Sequence, residues 1–231
     1  MLWQGRRVRR LALRLPEAAG AREGDSLAHE SRTRLLIVGD SSAAGVGVAD
    51  QSQALSGRLV AALSAAGATP RRWRLIARTG AAAADLPALV DQDLKPSSAC
   101  DQHFDLAIVV VGVNDVTQAT PIVRWLDNLD RIHARLRYHG VRTTLYSGLP
   151  PMERFTALPQ PLRSWLGLQA RRYDRALGHW SQAQPDAVHV VLPRLDDASL
   201  LASDGFHPGA AGCEVWAQAL ARTIAVLPPQ K

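Results

Sequence analysis

The run from Leu106 to Val111, Leu-Ala-Ile-Val-Val-Val, is apolar at every position, and no other stretch constrains the fold as tightly. A strand sends successive side chains to opposite faces, so a strand apolar on both faces must be covered on both. So short a run, rich in β-branched residues, reads as a central parallel strand rather than a buried helix. Four further strand-like runs lie at Leu35–Val38, Trp73–Ala77, Thr143–Ser147 and Val188–Leu192. Between and after them come helical patterns at Gln51–Ala66, Ala84–Leu94, Ile122–Tyr138, Gln160–Ala183 and Ala210–Val226. Gly67, Pro96 and Gly140 supply helix stops. This alternation predicts right-handed βαβ units: an α/β fold with a five-stranded parallel sheet between two helix layers.

Residues 1–33 stand outside the alternation and are expected to form a basic arm or lead-in to a single domain over 34–231. The chain carries a net charge of +6 and a pI of about 10.1, which raises the question of nucleic acid. Lys95 and Lys231 are the only lysines, however, so 25 of the 27 basic residues are Arg, and Ala occurs 37 times. That bias reads as GC-rich coding rather than selection for phosphate contact. No aromatic platform or nucleic-acid motif accompanies it, and no specific nucleic-acid partner is expected. The one concentrated basic run is Arg6, Arg7, Arg9 and Arg10. It reads as a solvated arm or as a weak contact with an anionic membrane surface. No apolar run reaches the ~18 residues of a span. Arg14 and Pro16 interrupt the apolar core that a signal peptide needs. The chain as given is therefore expected to be cytoplasmic, unless a start lies upstream. Cys100 and Cys213 are too few for a disulfide framework and are expected to be free thiols.

In open parallel sheets ligands bind beyond the carboxyl ends of the strands. The loops starting at Gly39, Thr79, Gly112, Gly148 and Pro193 should therefore surround one site. The first reads Gly39-Asp40-Ser41-Ser42-Ala43-Ala44-Gly45-Val46-Gly47. It matches no phosphate-binding fingerprint and no G-x-S-x-G elbow. A serine there is either part of a plain turn or a nucleophile at the sheet's rim. A serine nucleophile needs a base. His207, in Ser203-Asp204-Gly205-Phe206-His207-Pro208-Gly209, is the best placed, and Asp204 can orient its ring from three residues away. Asn114, after the most apolar strand, is a helix cap or an oxyanion donor. Gly80 is a turn residue or a backbone donor to the same oxyanion.

Taken together, these blocks resemble the SGNH (GDSL-type) hydrolase family over about residues 34–227. The resemblance rests on Gly39-Asp40-Ser41 with Gly45, on Gly80, on Gly112-x-Asn114-Asp115 and on Asp204-x-x-His207-Pro208. It implies a flavodoxin-like three-layer α/β/α sandwich and a serine esterase working through an acyl-enzyme. Ser41 would be nucleophile, His207 general acid/base and Asp204 its orienter. The N–H groups of Ser41 and Gly80 and the side chain of Asn114 would form the oxyanion hole, and Asp40 and Asp115 would brace their loops. Ser42 puts a second hydroxyl beside the first. The implied substrate is a small-molecule, lipid or glycan ester, with no cofactor and no metal. An acyltransferase of the same fold and a non-catalytic ester-binding domain are the alternatives.

His29, His103, His133, His139, His179 and His189 show no metal-ligand spacing. His133 and His139 are expected on a solvated helix face, His189 in the core. The tryptophans at 125, 165, 180 and 216 are expected to pack in the core. Met152, Phe155 and Trp165, in or near the irregular stretch 148–160, are alternatively candidates for an acyl pocket.

Overall fold

The computed structural model describes residue 4 and residues 13–26, 33–94, 103–193 and 197–227. Its strands are β1 (Glu23–Asp25), β2 (Arg34–Gly39), β3 (Arg72–Ala77), β4 (Leu106–Val110), β5 (Thr143–Ser147) and β6 (Ala187–Val190). They form one sheet of six strands in the order β1-β3-β2-β4-β5-β6. Strands β2 to β6 run parallel, with Ile37 level with Leu75 on one side and with Ile108 on the other. The five parallel strands thus fall where the apolar runs predict. The sheet nevertheless has one strand more than expected, because β1 comes from the lead-in and pairs antiparallel with β3.

Among the described residues six α-helices complete the fold: α1 (Leu55–Ala65), α2 (Leu86–Asp93), α3 (Val113–Thr117), α4 (Ile122–Tyr138), α5 (Leu162–Gln182) and α6 (Ala210–Ala225). Alternation along the strands divides the core in two. Leu35, Ile37, Ile108, Val110 and Leu145 face α1 and α6, where Leu55, Leu59, Trp216 and Leu220 cover them. Leu36, Val38, Ala107, Val109 and Tyr146 face the other layer, built from α2, α4 and α5. The helices supply apolar stripes at the required spacing, such as Trp125, Leu129, Ile132 and Leu136 on α4. Each such side chain, fully buried, contributes roughly 1.5–3 kcal/mol of transfer free energy. The indole N–H of Trp216 donates to the Ser147 hydroxyl at 2.9 Å, fastening α6 to β5.

Several expectations need correction. The helix expected from Gln51 begins at Leu55; residues 51–54 are turns, and Gln51 is buried. His133 is buried rather than solvated, with Nε2 3.0 Å from Asp186 and Nδ1 3.3 Å from the Tyr146 hydroxyl. His139 is likewise covered, with Nε2 3.1 Å from Asp91. In both cases a distant carboxylate supplies the partner that makes burial tolerable. His189 is partly buried and meets Asp174 at 3.0 Å. Trp125 and Trp216 are core residues, while Trp165 and Trp180 are only partly buried against it. Met152 and Phe155 are core residues rather than an open pocket lining. Cys213 is buried, which pushes its thiol up to about 12. Cys100 and the basic run Arg6, Arg7, Arg9 and Arg10 lie outside the described residues. No helix among the described residues is long and apolar enough to cross a membrane.

The chain leaves β2 for β3 on one side and later returns to place β4 on the other. Strand order reverses there, and the crevice beyond the carboxyl ends of β2 and β4 is where such sheets bind ligands.

Candidate active site

The loop after β2 enters that crevice directly. The Asp40 N–H donates to the Val110 carbonyl at 3.1 Å, tying the loop to the end of β4. The Asp40 carboxylate accepts from the Ser42 N–H at 2.9 Å, a side-chain turn that projects Ser41 between them. Asp40 is 2% exposed. Burial pushes its carboxyl up to about 6 against the pull of the Ser42 N–H and His207. Farther along the loop, the Gln51 amide donates to the Ala44 and Ala18 carbonyls at 3.0 and 3.2 Å, and the Ser56 hydroxyl donates to the Gln51 amide oxygen at 2.9 Å. A buried glutamine thus fixes the loop's far end. Only its distant partners mark it out, so it is not legible from local sequence.

The second loop in the constellation folds back on itself before α6. The Ala202 N–H donates to the His207 carbonyl at 2.8 Å, and Leu201 bridges Pro208. Inside this turn one oxygen of Asp204 accepts from the N–H groups of Phe206 and His207, both at 3.0 Å. Its other oxygen lies 2.6 Å from His207 Nδ1. A carboxylate can only accept, so Nδ1 carries the proton and Nε2 presents a lone pair. That lone pair accepts from the Ser41 hydroxyl at 2.9 Å. Burial pushes the Asp204 carboxyl up, but the His207 ring and the two backbone donors outweigh it and hold it below the usual carboxylate value. The expected Ser41, His207 and Asp204 therefore meet in one continuous chain of hydrogen bonds. His207 faces Ser41 rather than Ser42.

The other two loops close the opposite side. Asn114 lies at the start of α3, directly after β4. Its side-chain amide donates to the Ala81 carbonyl at 2.9 Å, and its second N–H has no acceptor among the described residues. The neighbouring Asp115 accepts from the Ala83 N–H at 3.0 Å and is 1% exposed. Burial raises its carboxyl to about 6. Both residues thus reach back to the loop after β3, which carries Gly80. Gly80 has φ +81 and open space where a Cβ would stand. Among the described residues, neither the Ser41 N–H nor the Gly80 N–H has an intramolecular acceptor. The arrangement can thus deprotonate a hydroxyl, and the loops beyond β2, β3 and β4 carry N–H donors that take no intramolecular acceptor among the described residues.

Beside α3 an apolar groove of about 300 Å³ is lined by Val116, Ile122, Trp165 and Tyr173 among others. Phe206, next to His207, packs its ring 4.8 Å from Phe155.

Known proteins share this arrangement at the level of fold. TesA aligns with a TM-score of 0.60 at 22% identity, covering 83% of this chain and 98% of that one. A carbohydrate esterase family 3 protein from Talaromyces cellulolyticus aligns at 0.60 and 15% identity, covering 84% and 96%. The psychrotrophic esterase EstA from Pseudoalteromonas sp., in a structure inhibited by monoethylphosphonate, aligns at 0.60 and 17% identity, covering 84% and 97%. No curated protein matches the chain. The family comparison is more specific than these folds, because its match over residues 37–215 runs from the strand before Ser41 to beyond His207. On that match the chain belongs to the GDSL-like lipase/acylhydrolase family.

Proposed function

We propose that the protein is a serine esterase that hydrolyses a carboxylic ester of a small molecule, lipid or glycan through an acyl-enzyme on Ser41. The observation that carries this reading is the unbroken relay from Asp204 to His207 to Ser41, with links of 2.6 and 2.9 Å. Membership of a lipase/acylhydrolase family and the esterases among its fold neighbours support it.

In this mechanism Ser41 Oγ attacks the acyl carbon while its proton passes to His207 Nε2. Asp204 remains ionised and stabilises the imidazolium. The oxyanion accepts from the N–H groups of Ser41 and Gly80 and from the second side-chain N–H of Asn114. The tetrahedral adduct collapses, His207 protonates the departing alkoxide, and the alcohol leaves. Water, deprotonated by His207, then attacks the acyl-enzyme; the second adduct collapses, Ser41 Oγ takes the proton back from His207, and the acid leaves. We assign the acyl chain to the groove beside α3, whose wall includes Val116, two residues from Asn114.

The test is a p-nitrophenyl ester panel, acetate through laurate, on wild type and Ser41→Ala, with fluorophosphonate labelling of both. Turnover and labelling by wild type alone support the reading, and partition of the acyl group to added alcohols would move it to acyl transfer. An inert, unlabelled wild type would leave a non-catalytic ester-binding domain.

A further inference from the structure

The segment before β2, which the family match does not reach, touches both loops on which the proposed chemistry depends. The Ala18 N–H donates to the Ala44 carbonyl at 3.3 Å and the Ala19 N–H to the Ala49 carbonyl at 3.0 Å, so this segment lies along the Ser41 loop. One residue earlier, a single oxygen of Glu17 accepts from both the N–H and the hydroxyl of Thr79, each at 2.7 Å. Arg22 completes the brace: one guanidinium nitrogen donates to the other Glu17 oxygen at 3.3 Å, a second to the Ala77 carbonyl at 2.8 Å. The two bonds from Glu17 hold Thr79 by its N–H, in the Arg78–Thr79 peptide, and by its side chain; the Gly80 N–H stands in the next peptide, one backbone rotation further on. Glycine at φ +81 has no side chain to resist rotation of that next peptide. Residues 78–80 are exposed, so packing does not hold them either.

Resting on the esterase reading above, we propose that Glu17 is a positioning residue that anchors Thr79 by its N–H and hydroxyl, limits rotation of the peptide that follows, and so aims the Gly80 N–H at the oxyanion. The lead-in is then part of the working site. The Glu17–Arg22 pair is itself half exposed, with side chains 33% and 40% accessible. Such exposed pairs contribute little stability. The two roles therefore separate cleanly: a structural contact would show in melting temperature, a positioning contact in turnover.

The experiment uses the full chain and p-nitrophenyl acetate, with wild type and Ser41→Ala as references and Glu17→Ala, Glu17→Gln and Thr79→Val as variants. Glu17→Ala should lower kcat roughly tenfold, part of the 10²–10³ that a whole oxyanion donor is worth. Its KM should stay within about twofold and its Tm close to wild type, because substrate binding and the core are untouched. The acidic limb of its pH profile should not move, since His207 and Asp204 keep their partners. Glu17→Gln retains an acceptor oxygen and should recover most of the lost kcat, while Thr79→Val, which loses only the hydroxyl bond, should fall between. Two outcomes overturn the proposal alone: a folded Glu17→Ala with wild-type kcat, or Ala and Gln variants equally impaired together with a lowered Tm. If wild type is no more active than Ser41→Ala, the esterase reading itself falls, and the proposed role with it.

Discussion

Gly47 and Pro208 approach so closely that a Cβ on Gly47 would stand 2.5 Å from the Pro208 carbonyl oxygen and 3.3 Å from the His207 Cβ. The loop bearing Ser41 and the turn bearing His207 are thus pressed together over bare backbone. At φ +110, Gly47 also adopts a conformation that L side chains rarely enter. Gly47→Ala meets both penalties. The strained backbone alone costs on the order of 1–3 kcal/mol, and relief of the clash must move His207 away from Ser41. The variant should melt lower and lose at least tenfold in kcat, read from a thermal scan and ester hydrolysis side by side. Unchanged values in both would show that the loops can part without consequence.

Asn114 supplies the only side-chain donor of the proposed oxyanion hole, and its bond to the Ala81 carbonyl at 2.9 Å orients the amide. Asn114→Ala should therefore cost about 10²–10³ in kcat, the scale found when one such donor is removed. KM should change little, because the interaction strengthens only as charge develops on the oxygen. A fall of under threefold in a folded variant would remove Asn114 from the role.

Asp204 both closes its own turn and fixes the protonated nitrogen of His207. Asp204→Asn can keep one acceptor oxygen for the backbone but can present its NH₂ to the ring, favouring the wrong tautomer. A loss of about 10³–10⁴ in kcat is expected, by the logic of serine triads in general. Steady-state kinetics above pH 7 would measure it, and a loss under tenfold would detach Asp204 from His207.

The five parallel strands and four site loops were readable because each signal is local. Apolar runs specify strands buried on both faces, and polar or glycine residues just beyond them mark the carboxyl edge. What escaped reading depends on partners remote in sequence. Glu23-Gly24-Asp25 has no strand propensity. It becomes β1 because Arg74 and Arg72 on β3 each lie 3.6 Å from an acidic side chain across the pair, and because Gly24 leaves room for the Trp73 indole. His133 sits next to Ile132 on the buried side of α4, yet nothing nearby announces Asp186, its partner 53 residues on. Glu17 and Thr79 are 62 residues apart, so nothing local to either announces their contact.

The two buried carboxylates beside the site make a prediction about pH and stability. Asp40 is pushed up to about 6, first by burial and further by the charge of Asp115. In the unfolded chain its value returns to about 3.9. Between those values the folded protein holds a proton that the unfolded chain has released. Asp40 therefore favours the fold most below about pH 4, and that contribution is lost as pH rises through about 6. A shift of this size corresponds to roughly 3 kcal/mol. Asp40→Asn removes the titration while keeping an oxygen to accept from the Ser42 N–H. The variant should melt above wild type at pH 8, and its advantage should shrink toward pH 4.5. Asp115 titrates in the same direction in both proteins, so their difference isolates Asp40 together with its attraction to His207 and its repulsion from Asp115. Thermal scans of the pair across that range decide the matter. A constant difference would mean that Asp40 does not change its charge there, and a larger advantage at low pH would reverse the sign.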